Sequence, residues 1–446
     1  MDIYLNQIFK ATYGAESTQK DSDGVSYYGY YTSNNQTKGS SANIARPMFW
    51  FKNVKDHCPA FFFHSNPLQK KEEVNPWRDV ILQDQGVVFY NGDNKTPGVS
   101  PGYRPKGSPQ TGNSKLESQL QLYFSHDEED RQKAPPILIF EQTKHKGKVK
   151  GYRRFIGIGI ISKWDVRQQY DENDSVFSNY LFEITLIGLD NGVFDYDWIN
   201  DRRDENLSLC QINLKAPKKW LKWVKEGNSA LNSIRQTILK SSTASPVKQI
   251  QELNKEHRLI LNEIVHHYEN RSKKDKFEAL ASLAATEFFG NRYTEGWITQ
   301  STGDMGVDFV GRYDIAHNEI PSLPGNILGR TSLLVIGQAK CRSVFDDVKK
   351  GEMTRDISRV ASRLTRGSIG IYVTTGTYKN STQEEVALDE LPIILLNGRL
   401  LADLILSFML RTGKKLNDIL IERDRWYDIQ QKSIPPENIL HDDIKY

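Results

Sequence analysis

The sequence predicts a chain of mixed class: a β-rich N-terminal half built on a curved sheet or barrel, a helical connector, and a C-terminal domain of α/β layers. Three observations predict it. Short aromatic-rich apolar runs separated by turn residues fill the first ~210 residues. From about Lys215 apolar residues recur at three- and four-residue steps. Beyond residue 270 strand-like and helix-like patterns alternate.

Taken in order, the strand runs are Met48–Phe51, Phe61–Phe63, Val87–Tyr90, Ile137–Phe140, Phe155–Ile161 and Leu181–Leu186. Between Gly92 and Gly112 glycine and proline dominate, and a long loop is expected. Ser241–Pro246 reads as a link and helix start, and Ile250, Leu253, His257, Leu261, Ile264 and Tyr268 form the stripe of an amphipathic helix. The expected domains are therefore 1–214, a connector over 215–270, and 271–446. The last is expected to run helix (Lys276–Phe289), strands (Tyr293–Thr299, Val307–Tyr313, Ser332–Lys340), helix (Met353–Thr365), strand (Ile369–Thr374), helix (Gln383–Leu391), strand (Ile393–Leu396) and helix (Leu400–Arg411).

Composition narrows the class. The 446 residues are 38% hydrophobic and 26% charged, which is ordinary for a soluble globular protein of two or three domains. No apolar run approaches the ~18 residues of a membrane span, and the N-terminus lacks a signal-peptide pattern. Three scattered cysteines, Cys58, Cys210 and Cys341, suggest neither a disulfide framework nor a zinc knuckle, so a reducing cytoplasm is expected. A net charge of +3 does not announce nucleic acid, and a DNA partner would need local basic patches.

The most informative segment is Gly303-Asp304-Met305-Gly306-Val307-Asp308, followed by the apolar strand that ends in Gln338-Ala339-Lys340. Alternation along a strand puts Gln338 and Lys340 on one face. If the two strands pair, Asp308, the Gln338 side-chain oxygen and the Ala339 carbonyl offer Mg²⁺ an oxygen-only ligand set with Lys340 above it. Such a site suits metal-dependent hydrolysis of phosphodiesters: the metal polarises the phosphate, while the lysine orients or deprotonates water or neutralises the transition state. Gln-x-Lys also occurs at Gln69–Lys71, Gln142–Lys144 and Gln430–Lys432, but without the acidic turn-plus-strand partner.

With Phe277-Glu278 and Gly370-Ile371-Tyr372-Val373-Thr374-Thr375-Gly376, these residues resemble the Mrr-type branch of the PD-(D/E)xK restriction-endonuclease fold. The Gln-Ala-Lys form is similar to the modification-dependent endonucleases of the MspJI type, which join such a domain to an SRA-like base reader. The resemblance implies a restriction-endonuclease-like α/β domain, catalytic roles for Asp308, Gln338 and Lys340, an auxiliary place for Glu278, and a bacterial cytoplasmic setting. Glu278 would equally suit a first-turn helix carboxylate. Twenty-nine residues separate Asp308 from Gln338, more than that pattern has, which leaves Asp314 as an alternative acid.

An enzyme that inspects C5 of a cytosine can flip the base into a pocket with aromatic faces and a carboxylate for the exocyclic amine. Trp77, Asp79 and Tyr90 are those residue types, and Tyr90-Asn91-Gly92 resembles the SRA pattern. They would also suit barrel-core aromatics and a turn cap. Lys146, Lys148, Lys150 and Arg153 form a basic hairpin-like segment suited to phosphates. Lys215 to Lys225 interleaves Trp220 and Trp223 with lysines, and Arg355, Arg359 and Arg363 recur along one helix.

The expected partner is double-stranded DNA carrying 5-methylcytosine or 5-hydroxymethylcytosine, flipped and read, with Mg²⁺-dependent cleavage at a fixed distance to one side. A homo-oligomer is expected, a dimer or, by resemblance, a tetramer. The competing readings are an Mrr-like endonuclease reading unmodified DNA and a non-cleaving methyl-DNA-binding protein.

Overall fold

The run Phe61–Ser65 is buried at every position, and Ile137–Gln142 at all but one. Strands buried on both faces lie inside a covered sheet. The computed structural model describes residues 1–446 apart from 12–18, 33–46, 67–76, 150, 172, 271–272, 300–306, 315–331, 343–353, 390 and 434–446. The chain divides into two units, Met1–Ser242 and Thr243–Tyr446.

The strands of the first unit are β1 (Asp2–Tyr4), β2 (Ile8–Lys10), β3 (Ser26–Tyr27), β4 (Met48–Trp50), β5 (Phe61–Ser65) and β6 (Val80–Leu82). They continue with β7 (Val87–Asn91), β8 (Ile137–Gln142), β9 (Tyr152–Tyr170), β10 (Val176–Ile187) and β11 (Val193–Asp195). Its helices are α1 (Tyr28–Thr32), α2 (Gly112–Phe124), α3 (Glu128–Lys133), α4 (Asp197–Arg202), α5 (Leu209–Ile212), α6 (Lys218–Glu226) and α7 (Ser229–Ser242). The main sheet runs β4-β5-β8-β9-β10-β7-β6, with β2 on β9 and β3 on β2, while β1 and β11 pair separately.

The expected barrel does not close. Among the described residues the end strands β4 and β6 pair with nothing beyond the sheet. Helix α7 covers the β6–β7 end instead: Arg235 Nε donates to the Gln85 carbonyl at 3.0 Å, and Ile238 lies against Gly86. Trp220 and Trp223, expected among phosphate-binding lysines, are fully buried against Trp198 and Tyr123. Indole burial makes α6 amphipathic, with Lys218, Lys222, Lys225 and Glu226 left to solvent.

In the second unit lie α8 (Pro246–Gln251), α9 (Lys255–Tyr268), α10 (Phe277–Phe289), α11 (Thr354–Ala361), α12 (Asn380–Leu388), α13 (Gly398–Thr412) and α14 (Leu416–Lys432). Its strands are β12 (Tyr293–Ile298), β13 (Phe309–Asp314), β14 (Ser332–Lys340), β15 (Ser368–Thr374) and β16 (Ile393–Leu396). They form one sheet in chain order, antiparallel from β12 to β14 and parallel from β14 to β16. Phe309, Val335, Ile371 and Val373 pack with α9, α10, α13 and α14 on one face. Ile357, Val360 and Val386 pack with Tyr372 and Ile393 on the other. The result is an α/β/α sandwich. The expected connector 215–270 is helical, with its first part in the core of the first unit and α8–α9 in the second.

Candidate functional site

In the second unit the site grows from one cross-strand register. Phe309 pairs with Gly337 and Val310 with Ile336, and Asp308, the residue before β13, lies against the Gly337–Ala339 end of β14. Alternation puts Gln338 and Lys340 on one face of β14. Gly337 is required here: a Cβ would lie 2.1 Å from the Phe309 ring. The Asp308 amide donates to the Gly337 carbonyl at 2.8 Å, and Asp308 Oδ2 accepts from the Ala339 amide at 2.6 Å. Asp308 is 8% exposed.

Gln338 Oε1 is buried without a hydrogen-bond partner among the described residues. An orphaned buried acceptor costs about 1–3 kcal/mol, and the amide of the next residue, Ala339, holds the Asp308 carboxylate. Among the described residues no group of three His, Cys, Asp or Glu could hold a metal ion. A carboxylate, an amide oxygen and a carbonyl are instead a hard oxygen set, and the orphaned oxygen is what a cation would satisfy. These residues fit Mg²⁺.

Lys340 is anchored by the end of β15. Thr374 Oγ1 donates to the Lys340 carbonyl at 3.0 Å, and Thr375 Oγ1 accepts from the Arg342 amide at 2.7 Å. From α14, Gln430 Oε1 accepts from the Ile298 amide at 2.6 Å while its Nε2 donates to the Gly296 carbonyl at 3.2 Å. That clamp fixes the bulged end of β12, and the Thr299 amide in turn donates to the Asp308 carbonyl at 3.0 Å.

Glu278 lies in the first turn of α10. Burial, and then the carboxylates of Glu278, Asp275, Asp428 and Asp308, push the Tyr427 hydroxyl well above the ordinary tyrosine range. Glu278 and Asp308 thus act on the same tyrosine. Asp314 pairs with Ser332, six residues before Gln338 and so roughly 20 Å along the strand; the alternative acid is far from Lys340. Sequence reading missed Tyr427 and Gln430, which carry no motif of their own.

The first unit holds a cavity of about 370 Å³ whose described lining includes Pro47, His64, Asn66, Trp77, Asp79 and Tyr90. That volume lies in the range of small-molecule sites, roughly 300–1,000 Å³. The structure therefore brings Trp77, Asp79 and Tyr90 together around one space. Tyr90 on β7 stacks on Phe63 at 4.3 Å and donates to the Pro47 carbonyl at 2.6 Å. Trp77 donates to the Asn94 carbonyl at 3.3 Å, its ring 5.8 Å from Phe177.

Asp79 is partly exposed as a residue, yet protein atoms enclose its carboxyl group. Its Oδ1 accepts from the Asn91 amide at 2.9 Å. Burial pushes the carboxyl up to about 6, against hydrogen bonds from Asn91 and Ser65 that favour the anion. Gly92 lets the strand end pass between Asn113 and Asn179, since a Cβ would lie 2.2 Å from one and 2.4 Å from the other. Asp93 then caps α2 through the amides of Gly112 and Asn113.

The basic segment divides. Lys146 and Lys148 are exposed on a tight hairpin tip, Lys146 paired with Asp23 at 3.0 Å, whereas Lys150 lies outside the described residues. Arg153 is a correction: it is 5% exposed, and its Nη1 donates to the Ser65 carbonyl at 2.9 Å. Its place in β9 beside β8 turns it inward, where it braces the end of β5 instead of facing solvent. Arg359 and Arg363 are exposed, and the side chain of residue 355 lies outside the described set.

Residues 61–235 match the family described as restriction endonuclease AspBHI N-terminal. Among solved structures, the MspJI restriction endonuclease in complex with a 27-mer oligonucleotide is 28% identical. The match covers 95% of this chain and 93% of that one, with a TM-score of 0.51. The DNA modification-dependent restriction endonuclease AspBHI is 19% identical over 97% of both chains, with a TM-score of 0.39. The DNA recognition domain of the cytosine modification-dependent restriction endonuclease LpnPI is 16% identical, covering 50% of this chain and 88% of that one, with a TM-score of 0.34. Among curated proteins none matches the chain by sequence. No helix among the described residues is long and apolar enough to cross a membrane. Residues 61–235 thus match a restriction-endonuclease N-terminal family, and together with the full-length likeness to MspJI this supports an MspJI-type restriction enzyme.

Proposed function

We propose that this chain recognises 5-methylcytosine or 5-hydroxymethylcytosine in double-stranded DNA and hydrolyses phosphodiester bonds at a fixed distance to one side. The base flips into the cavity of the first unit, Trp77 and Tyr90 supply aromatic walls, and Asp79 meets its exocyclic amine. The exposed Lys146 and Lys148 contact phosphates.

Cutting belongs to the second unit. Asp308, Gln338 and the Ala339 carbonyl would hold Mg²⁺, which when bound polarises a phosphate and makes water a better nucleophile. Lys340, on the same face, holds the attacking water or balances charge growing on the phosphate. Asp308 is oriented by the Ala339 amide, so its carboxylate needs no reorganisation when substrate arrives. The observation that carries this reading is the buried Gln338 Oε1, without a partner among the described residues, next to the Ala339 amide that holds Asp308. Methylated and unmethylated plasmids incubated with the full chain and Mg²⁺, with chelator controls, test it. Cleavage of both alike would overturn modification dependence, and cleavage undiminished by chelator would overturn the metal site.

A further inference from the structure

The cavity beside Trp77 holds an acid whose burial outweighs the hydrogen bonds that favour its anion. Asp79 has no ion-pair partner among the described residues. The Asn91 amide occupies one lone pair of Oδ1, with Asn91 Nδ2 at 3.5 Å, and the Ser65 side chain is its other polar neighbour. Asp93 and Lys95, on the stretch after β7, line the same cavity, as do Tyr90 of β7 and His64 of β5. Of these, the Asp93 carboxylate is committed to two amides of α2, and Lys95 is exposed. Arg153 of β9 spends a guanidinium nitrogen on the Ser65 carbonyl, and Arg78, the preceding residue in the chain, is exposed. A flat ligand that displaces water from this space raises the cost of an anion there further.

We propose that Asp79 binds the flipped base as a carboxylic acid, with Oδ2–H donating to ring N3 and Oδ1 accepting from the N4 amine of the modified cytosine. The proton comes from solvent and returns there on release. This inference rests on reading the cavity as a base pocket and says how that pocket chooses its base. A carboxylate only accepts, so it would take N4–H of cytosine or N3–H of thymine alike. A neutral acid offers one donor and one acceptor in fixed order, which matches the cytosine edge and opposes that of thymine, whose 5-methyl group is the same. The Asn91 amide fixes which oxygen keeps the acceptor role. The cavity's tendency to push Asp79 up to about 6 means that little further shift is needed near neutral pH.

The test is fluorescence anisotropy with the full chain and no divalent metal. Duplexes carrying 5-methylcytosine, plain cytosine or thymine at one position are compared from about pH 5 to about pH 8. The ratio to plain cytosine tests the pocket. Plain cytosine has the same Watson–Crick edge, so it is the ratio to thymine that reads the acid and removes general charge effects. For the wild type this ratio falls as pH rises above about 6, approaching tenfold per pH unit. Asp79→Asn presents an N–H donor and a C=O acceptor at the same two positions. It keeps the preference within a few-fold of the wild type's acidic value and makes it independent of pH. A wild-type ratio that stays flat or rises with pH, with the preference lost in Asp79→Asn, overturns the proposal and makes Asp79 an ordinary carboxylate acceptor. A wild type with no preference over plain cytosine at any pH overturns the base pocket itself and this inference with it.

Discussion

The carboxylate of Asp308 and the amide of Ala339 meet at 2.6 Å across the β13–β14 pair. This bond ties the acid to the middle of the Gln-Ala-Lys segment, so the two halves of the motif hold each other in register. Asp308→Ala should therefore lose both a ligand and the bond that fixes the strand end, and Lys340→Ala only the cation. Both should reduce single-turnover cleavage at least ~100-fold. Binding of modified duplex, measured by gel shift, should remain within a few-fold, because the cavity lies in the other unit. Binding lost along with cleavage would contradict this division of labour.

Gln338 gives a test that separates function from stability. An orphaned buried oxygen is tolerated at a cost of about 1–3 kcal/mol. Gln338→Met, similar in volume and without the acceptor, should raise the melting temperature of the metal-free protein while abolishing cleavage. Gln338→Glu should lower the Mg²⁺ concentration needed for half-maximal cleavage, because it restores a second carboxylate to the ligand set. Should Gln338→Met cut DNA at wild-type rate, the orphaned oxygen would have no part in the chemistry.

Much of the second unit was legible because its chemistry lies on regular elements. The helix expected over Lys276–Phe289 is found at Phe277–Phe289, and the strand expected over Ser332–Lys340 has those bounds. Helix α14 was not foreseen: its inward positions include Arg423, which pairs with Glu295, and Gln430, which clamps β12. Polar residues at core-facing steps break the apolar stripe on which a helix is recognised. In the first unit the apolar runs identified strands but not closure. What covers an open sheet edge is a tertiary fact, here supplied by Ile238 against Gly86. The inward turn of Arg153 was likewise invisible, since a run of basic residues carries no sign of which one reaches a buried carbonyl.

The Asp79 carboxyl makes folding of the first unit pH-dependent. Its folded-state value is raised to about 6, above the ordinary ~3.9 of an unfolded chain. Stability from the neutral acid is therefore full below about pH 4 and is lost as pH rises through about 6. Asp79→Asn keeps an acceptor for the Asn91 amide and cannot ionise. Relative to wild type it should gain about 1–3 kcal/mol at pH 8, with the gain shrinking to nothing near pH 4. Urea melts of ligand-free protein, followed by near-UV signal at the two pH values, measure the difference. An equal effect at both pH values would mean that the acid is not raised in the folded state.

Trp77 and Tyr90 should part company when altered. Trp77 is partly exposed at the cavity, whereas Tyr90 is 1% exposed and stacked on Phe63. Trp77→Ala should cost about 1–3 kcal/mol in binding modified duplex, with little change in melting temperature, because it removes a stacking face. Tyr90→Phe should instead cost about 1 kcal/mol of stability through its lost bond to the Pro47 carbonyl, and leave the preference for modified DNA largely intact. Equal binding losses for both would give the hydroxyl of Tyr90 a direct part in reading the base.

Each chain contributes one Asp308–Gln338–Lys340 face, and one such face breaks one strand per encounter. A double-strand break therefore requires two chains, and we expect at least a homodimer, formed or stabilised on modified DNA. Sedimentation with and without a methylated duplex measures the assembly directly. Kinetics supply an independent reading: at limiting enzyme a nicked plasmid should accumulate before the linear form, and rising protein concentration should shorten its lifetime. The proposed base pocket and the proposed cutting face lie in separate units, so the mapped ends should cluster at a fixed offset from the modified cytosine. A strict monomer making clean double-strand breaks at one offset would require both strands to pass through a single site without release, and would refute the two-chain account.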